Sequence, residues 1–161
     1  MTVTSESRHL TASAVVLDPR TAKILLVHHR ATGKWMFPGG HVDENEAPDQ
    51  TAVREVLEET GVAIELDVDC IPQSYGEVRS TPWIVAEFPA PAKPERPGKP
   101  AEPAHRHIDL LYLATADSRD PLRPAPGEVA AARWFRIDGI KGSQFRAEVP
   151  ELARRATWAV V

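Results

Sequence analysis

Residues 40–62 constrain the fold most strongly, because they combine acidic and apolar residues at helical spacing. On a helix over residues 50–60, Glu55, Glu58 and Glu59 stand at positions i, i+3 and i+4 and therefore share one face. The opposite face carries Ala52, Val53, Val56 and Leu57. The pattern predicts an amphipathic helix that buries its apolar face and crowds three like charges on the other.

Three carboxylates on one helix face repel one another, so we expect a cation to offset this repulsion. Like charges at this spacing destabilise a helix by a few tenths of a kcal/mol per pair. Oxygen-rich sites suit Mg²⁺ or Mn²⁺, and Mg²⁺ typically binds one or two protein carboxylates and completes its shell with water and substrate phosphates. The segment therefore predicts a Mg²⁺ site, with Mn²⁺ as the other candidate ion. An acidic helix with a solvated face is the alternative interpretation.

The same segment resembles the signature of the Nudix hydrolases, G-x5-E-x7-R-E-U-x-E-E-x-G-U, in which U is a bulky aliphatic residue. Every defined position is matched, by Gly40, Glu46, Arg54, Glu55, Val56, Glu58, Glu59, Gly61 and Val62. The preceding Phe-Pro-Gly-Gly at 37–40 is also similar to the usual approach to this signature. The MutT-like resemblance implies an α/β (α+β) fold, the Nudix-type α/β/α sandwich with a central mixed sheet.

The resemblance also implies an activity. Nudix hydrolases cleave the diphosphate linkage of a nucleoside diphosphate joined to another group, X. The implied enzyme is a Mg²⁺-dependent diphosphohydrolase, or pyrophosphatase, and its substrate is a nucleoside triphosphate or a nucleotide-sugar-like compound. A non-catalytic Nudix module that binds or senses a nucleotide is the alternative, and isomerase chemistry on an isoprenoid diphosphate is a third superfamily function.

Metal ligands follow from the matching positions. The resemblance implies that Glu55, Glu58 and Glu59 bind the ion together with the carbonyl of Gly39. The residue that polarises the attacking water differs among family members, so Glu58 and Glu59 both remain candidates. Many members supply a further acidic ligand or base before a late strand that ends in Trp-Phe, and Glu128 is similarly placed. A turn carboxylate in solvent is the other interpretation of Glu128.

Two further residues of the signature have supporting roles in this interpretation. Arg54 is expected to orient Glu55 through a charge-assisted hydrogen bond, and Glu46 to hold the guanidinium. Outside the signature, Arg30 and Lys34 are candidates for contacts to substrate phosphates. Trp35 is a candidate for stacking on a base or for packing in the core.

Several histidines invite a zinc interpretation, namely His28, His29, His41, His105 and His107. The sequence disfavours it, because no pair has a recognised zinc-ligand spacing. The neighbouring pair at 28 and 29 would point to opposite faces of a strand.

The rest of the chain reads as strands and one terminal helix. Strands are expected at 9–17, 24–27, 62–68, 83–88, 107–116 and 131–137, and a helix at 149–159. Ala47 occupies the N-cap position of the acidic helix and has no side-chain oxygen to form a cap hydrogen bond, which costs about 1 kcal/mol of helix stability. Gly61, by contrast, suits the C-cap position. Prolines recur every third residue within an inserted segment at about 89–104, which predicts an extended surface loop. The sharper alternative places this loop beside the substrate cleft or against a second subunit.

Composition bounds the partners. The 161 residues suit a single domain over 1–161, and a formal charge of −4 gives no reason to expect duplex nucleic acid or an anionic membrane. Cys70 is the only cysteine, so a reducing, cytoplasmic location is expected. No run of residues approaches the apolar length of a membrane span. The expected partner is a small-molecule nucleotide, and homodimers are frequent in the family.

Overall fold

The computed structural model describes residues 6–66, 76–98 and 100–160. In chain order its elements are β1 (Arg8–Asp18), β2 (Lys23–His29), β3 (Lys34–Met36), β4 (Gly39–His41), α1 (Pro48–Thr60), β5 (Ile84–Ala90), β6 (His105–Thr115), β7 (Val129–Arg136), a short 3-10 helix (Ile137–Gly139) and α2 (Val149–Ala159). Among the described residues, no helix combines the length and apolarity needed to cross a membrane.

One mixed sheet contains all of these strands. Its central order is β3-β2-β1-β6-β5, with β4 paired to β1 and β7 paired to β2. β1 and β6 run parallel over ten residue pairs, whereas β1 and β2 form the expected antiparallel hairpin. The mixed sheet with two helices confirms the predicted fold class.

Two strands, β2 and β4, pair with different parts of the same edge of β1. Residues 16–18 of β1 pair with β2, and residues 11–13 pair with β4. Between them the Ala14 N–H donates to the carbonyl of Pro38 at 3.0 Å. β2 therefore diverges from β1, and the glycine strand β4 takes its place in the sheet.

Alternation along β1 builds a core on each face of the sheet. Val15 and Leu17 pack in the cluster that includes Val149 and Ala153 of α2. Val16 packs in the cluster that includes Val56 of α1. Successive strand residues point to opposite faces, so the apolar run of β1 is buried between the two helices.

Helix α1 buries a narrower face than the sequence predicts. Ala52 and Val56 are fully buried, but Leu57 is 50% exposed, and its assignment to the buried face was wrong. At about 100° per residue, Leu57 lies a quarter turn from Val56 and reaches the rim of the contact with the sheet. Ala47 makes no side-chain cap bond, but its N–H donates to Gln50 Oε1 at 2.9 Å.

One expected strand is not found among the described residues, and the proline-rich segment is partly paired. Residues 62–66 form no strand, although Val62 and Ile64 are buried against the α1 cluster; residues 67 and 68 of that expected strand lie outside the described residues. The proline-rich segment connects β5 and β6, and within it Lys93 and Glu102 form a short bridge by exchanging backbone hydrogen bonds of 2.8 and 2.9 Å. Proline has no N–H, so only the residues between prolines can pair in this way.

Candidate functional site

The acidic face of α1 is formed by Glu55, Glu58 and Glu59. Two of these residues, Glu55 and Glu59, lie against the two glycines of β4. The N–H of Gly39 donates to Glu59 Oε2 at 3.0 Å. A Cβ on Gly40 would overlap the carboxylate of Glu55. The absence of side chains on β4 therefore lets its backbone lie directly against the helix carboxylates.

Arg54 connects three of the signature carboxylates. Its Nε and Nη2 donate to the two oxygens of Glu46 at 2.7 and 3.0 Å. Its Nη1 donates to Glu55 Oε1 at 2.9 Å and to Glu58 Oε2 at 3.3 Å. The hydrogen bonds from Arg54 lower the pKa of Glu46 below its usual value. Glu46 is thus an ionised anchor for the arginine, as the sequence predicted.

Burial raises the pKa values of two of the helix carboxylates, Glu59 and Glu55. It raises the pKa of Glu59 to about 8, and the negative charges of Glu55, Glu128 and Glu58 add to this effect. Burial also raises the pKa of Glu55, although Arg54 opposes it. Closely spaced carboxylates with raised pKa values bind protons or cations strongly. Their oxygen donors are those that Mg²⁺ and Mn²⁺ prefer, so these residues fit a divalent ion.

Glu128, which directly precedes β7, lies close enough to this face to act on its carboxylates electrostatically. Its carbonyl accepts a hydrogen bond of 2.9 Å from the Arg30 N–H. Its carboxylate lies 3.8 Å from His29 Nε2. Its charge contributes to the raised pKa values of both Glu55 and Glu59. The fold therefore brings Glu128 near the helix carboxylates despite a sequence separation of about 70 residues.

A cavity of about 850 Å³ opens beside these groups, and Gly39, Gly40 and Glu128 form part of its wall. Residues of β5, β6 and the beginning of the proline-rich segment, including Pro91 and Pro94, also line the cavity. The cavity thus has the carboxylate site at one side and a proline-rich wall at another. The sharper interpretation of the proline-rich segment, that it borders the substrate cleft or contacts a second subunit, stays a prediction.

The predicted substrate contacts lie elsewhere. Arg30 donates through Nε to the carbonyl of Gly127 at 3.0 Å, Lys34 is exposed at the start of β3, and Trp35 packs edge-on against Phe135 at 4.8 Å. None of the three predicted contacts belongs to the described part of the cavity wall.

Other cations line that wall instead, namely Lys93, Arg96 and Arg146. The guanidinium of Arg146 lies 5.0 Å from the ring centroid of Phe88, which also lines the cavity. Sequence reasoning missed these residues because they lie in loops or on strands with no motif. The proline period was the one available signal, and it pointed to the segment rather than to its cations.

The structure is a mixed sheet between two helices, with glutamates of α1 held against the two glycines of β4. Comparison with known proteins identifies the family to which this fold and site belong. The family model described as NUDIX domain matches residues 7–155, and the chain belongs to that family. The predicted resemblance is thereby confirmed.

Individual relatives agree with this assignment. The "Putative 8-oxo-dGTP diphosphatase 3" of Mycobacterium tuberculosis is 31% identical over 130 residues, which cover 74% of this chain and 56% of the relative. The "Nucleoside diphosphate-linked moiety X motif 6" of Xenopus laevis is 47% identical over 55 residues, which cover 33% of this chain and 25% of the relative. The chain thus spans a quarter to just over half of the length of these relatives.

Solved structures show the same fold. The crystal structure of a NUDIX family hydrolase from Clostridium perfringens superposes with a TM-score of 0.74. The superposition covers 96% of this chain and 99% of that chain, at 24% sequence identity. At this identity the likeness concerns the fold alone.

Proposed function

We propose that the protein is a metal-dependent Nudix hydrolase that cleaves the diphosphate linkage of a nucleoside diphosphate joined to a group X. The observation that carries the proposal is the packing of the acidic face of α1 against Gly39 and Gly40, at the wall of the 850 Å³ cavity. The backbone of these two glycines thus lies between the helix carboxylates and a substrate-sized cavity.

In this proposal Glu55, Glu58 and Glu59 hold Mg²⁺ or Mn²⁺, with the carbonyl of Gly39 and the carboxylate of Glu128 as further ligands. When bound, the ion supplies the positive charge that a diphosphate needs in its transition state. The raised pKa values of Glu55 and Glu59 support this assignment, because a divalent cation relieves the repulsion between the buried carboxylates.

The protein side chains position the reacting groups. Arg54 fixes the orientation of Glu55, and Glu46 fixes Arg54. Glu58 or Glu59 accepts a proton from the attacking water. The new bond joins the water oxygen to phosphorus, the bond to the bridging oxygen breaks, and the products are a nucleoside monophosphate and X-phosphate.

The cavity supports a nucleotide as the substrate. Lys93, Arg96 and Arg146 offer positive charge to phosphates, and Phe88 offers an aromatic face. The two relatives above have names that refer to an 8-oxo nucleotide and to nucleoside diphosphate derivatives. A small-molecule nucleotide is therefore the proposed partner, and the cytoplasm, which supplies nucleotides and Mg²⁺, is the proposed compartment. Assembly as a homodimer stays a prediction.

A substrate panel tests the proposal. The purified protein is incubated with nucleoside triphosphates, 8-oxo-dGTP, nucleotide sugars, ADP-ribose and dinucleoside polyphosphates, in Mg²⁺, in Mn²⁺ and in chelator. We expect release of a nucleoside monophosphate from one substrate class in the presence of metal. Nucleotide-induced rises in melting temperature without turnover of any panel member would replace the hydrolase by the sensor.

Arg146 offers a test of the cavity within the same assay. For the preferred substrate, Arg146→Gln should raise KM more than it lowers kcat, because the residue lines the cavity and is not among the proposed metal ligands. Arg155→Gln is the matched control, since Arg155 is exposed on α2 and pairs with Glu151. Equal KM values for the two variants would remove the cavity from substrate binding.

A further inference from the structure

A second group of metal-binding side chains lies outside the acidic face of α1. His9 on β1, His41 on β4, Glu102 in the proline-rich segment and His105 at the start of β6 each offer one ligand atom. These four atoms all lie within 4.8 Å of one another. Three separate parts of the chain, at residue 9, at residue 41 and at residues 102–105, therefore bring three imidazoles and one carboxylate close together.

The carboxylate oxygen Oε1 of Glu102 faces all three imidazoles. It lies 3.6 Å from His105 Nε2, 3.8 Å from His41 Nε2 and 3.9 Å from His9 Nδ1. These distances exceed those of hydrogen bonds. The ligand atoms of a tetrahedral zinc ion lie about 3.4 Å apart, given bonds of about 2.1 Å. The four atoms thus surround a space that one ion would fill if the distances between them shortened by up to about 1.4 Å.

Contacts on the far side of two ligands direct their free atoms inward. His105 Nδ1 lies 2.9 Å from the carbonyl of Pro103, so Nδ1 carries the proton and Nε2 presents its lone pair. Lys93 Nζ lies 3.1 Å from Glu102 Oε2, which leaves Oε1 for the cluster. A hydrogen bond donated by the outer ring nitrogen to a backbone carbonyl is the usual support of a metal-binding histidine.

The environment of His41 Nε2 gives the clearest indication that an ion can bind at this cluster. Its Nε2 is buried, and it has no hydrogen-bond partner among the described residues. A buried polar atom without a partner is costly. His105 Nε2, by contrast, lies 2.9 Å from His107 Nε2. A metal ion at the cluster would give His41 its partner and would replace the contact between His105 and His107.

We propose that His9, His41, Glu102 and His105 bind one transition-metal ion, with zinc as the best match, at a site distinct from the proposed Mg²⁺ site. Imidazole ligands favour zinc over magnesium. Four protein ligands form a closed set, which is typical of structural zinc sites. The ion fastens the proline-rich segment, through Glu102, to β1 and β4. The proposal stands independently of the hydrolase activity.

Sequence spacing did not reveal this site, and the structure explains why. His9 and His41 are 32 residues apart, and His105 follows 64 residues later. Known zinc spacings describe ligands that share one hairpin or one helix. Here the ligands meet because β1 pairs with β4 on one edge and with β6 on the other.

Cobalt binding tests the proposal without reference to activity. The untagged protein, with its Mg²⁺ site saturated by excess Mg²⁺, is titrated with Co²⁺ while visible absorption is recorded, and then with Zn²⁺. We expect one equivalent of Co²⁺ with the strong absorption of a tetrahedral site, which Zn²⁺ displaces. His9→Gln and Glu102→Gln should each weaken binding at least tenfold, whereas His28→Gln, which alters a histidine outside the cluster, should not.

Two results would overturn the proposal. One is a wild-type protein that takes up no Co²⁺ or Zn²⁺. The other is unchanged stoichiometry and affinity in His9→Gln, with circular dichroism showing a native fold, especially if binding is instead lost in Glu59→Gln. A second readout follows the segment itself: Zn²⁺ should slow cleavage by a glutamyl endopeptidase after the exposed Glu95, which is followed by Arg96 and not by proline, in the wild type but not in His9→Gln.

Discussion

Arg54 binds Glu46 through two parallel hydrogen bonds, from Nε at 2.7 Å and from Nη2 at 3.0 Å. The third guanidinium nitrogen, Nη1, is then left to meet Glu55 at 2.9 Å. A planar fork with fixed donors can satisfy both carboxylates at once, and a lysine ammonium cannot reproduce this geometry. The orientation of Glu55 therefore depends on an arginine that is itself held by Glu46.

Arg54→Lys tests whether the positive charge of Arg54 is sufficient or whether the geometry of its guanidinium is also required. The positive charge is kept, but the paired bonds to Glu46 and the alignment of Glu55 are lost. We expect the affinity for Mg²⁺ and the turnover to fall by about 10- to 100-fold, as is typical when a partner that orients metal ligands is changed. Titrating turnover with Mg²⁺ measures this, with Arg154→Lys on α2 as control. A wild-type Mg²⁺ dependence in Arg54→Lys would show that the fork is not needed.

Glu59→Gln should stabilise the protein in chelator at alkaline pH. Burial raises the pKa of Glu59 to about 8 in the folded state, above its ordinary value of 4.5. Between these two pH values the unfolded carboxyl has lost its proton while the folded one retains it, so the free energy of unfolding falls as pH rises. Glutamine removes this loss and can still accept the hydrogen bond from Gly39.

The measurement is the melting temperature between pH 5 and pH 8. In chelator, the wild type should lose more stability than Glu59→Gln over this range, and added Mg²⁺ should restore stability only to the wild type. Glu65→Gln, which changes an exposed carboxylate, is the control. Parallel pH curves for wild type and Glu59→Gln would show that Glu59 does not carry the raised pKa.

Replacing the two glycines of β4 by alanine should affect different properties, activity at Gly40 and stability at Gly39. A Cβ at Gly40 meets the end of the Glu55 side chain, which can move, whereas a Cβ at Gly39 meets the backbone and Oγ of Ser13, where the backbone cannot move easily. Gly40→Ala should therefore lose at least tenfold in activity with little loss of stability. Gly39→Ala should lower the melting temperature.

Gly139→Ala is the matched control, since a Cβ there has open space. Thermal unfolding and turnover of the three variants provide the comparison. A Gly40→Ala protein with full activity would mean that the position of Glu55 beside β4 is unimportant.

Asp18 offers a test of the fold away from the site. It is fully buried and accepts hydrogen bonds from the backbone N–H groups of Arg20 at 3.0 Å and Ser118 at 2.9 Å. Burial alone would raise its pKa, but hydrogen bonds from Ser118, Thr21 and Arg20 outweigh it and hold the pKa well below the ordinary value. The stabilisation is therefore present above pH 4 and is lost as the pH falls further.

Asp18→Asn should destabilise the protein by about 1–3 kcal/mol at neutral pH, because the charged acceptor of several buried bonds is replaced. Its stability should also decline less steeply below pH 4 than that of the wild type. Urea unfolding at pH 7 and at pH 3 checks both expectations. The exposed Asp120→Asn serves as control, and a variant that matches it at both pH values would contradict this role of Asp18.

The features that the sequence predicted are those with local causes. The shared face of the helix glutamates follows from helical spacing within five residues. The terminal helix over residues 149–159 was predicted with the bounds that the structure shows. The pairing of Arg54 with Glu46 was implied by the resemblance to the family signature, and the structure contains it.

The features that the sequence missed depend on which strands become neighbours. The histidine cluster exists because β4 and β6 flank β1, and nothing in the spacing of histidines encodes that order. The cations of the cavity wall come from the proline-rich segment and from the approach to α2, two segments far apart in the chain. The exposure of Leu57 depends on how far the sheet extends across α1, which helical periodicity alone cannot specify.

The central claim is that the acidic face of α1 carries out metal-dependent hydrolysis of a diphosphate. Turnover of the preferred panel substrate in Mg²⁺, compared between Glu59→Gln and Leu57→Gln, tests it most directly, because the two residues lie on the same helix and Leu57 is half exposed. The account predicts that Glu59→Gln loses activity by orders of magnitude while Leu57→Gln retains it. Equal activity in wild type and Glu59→Gln would contradict the account.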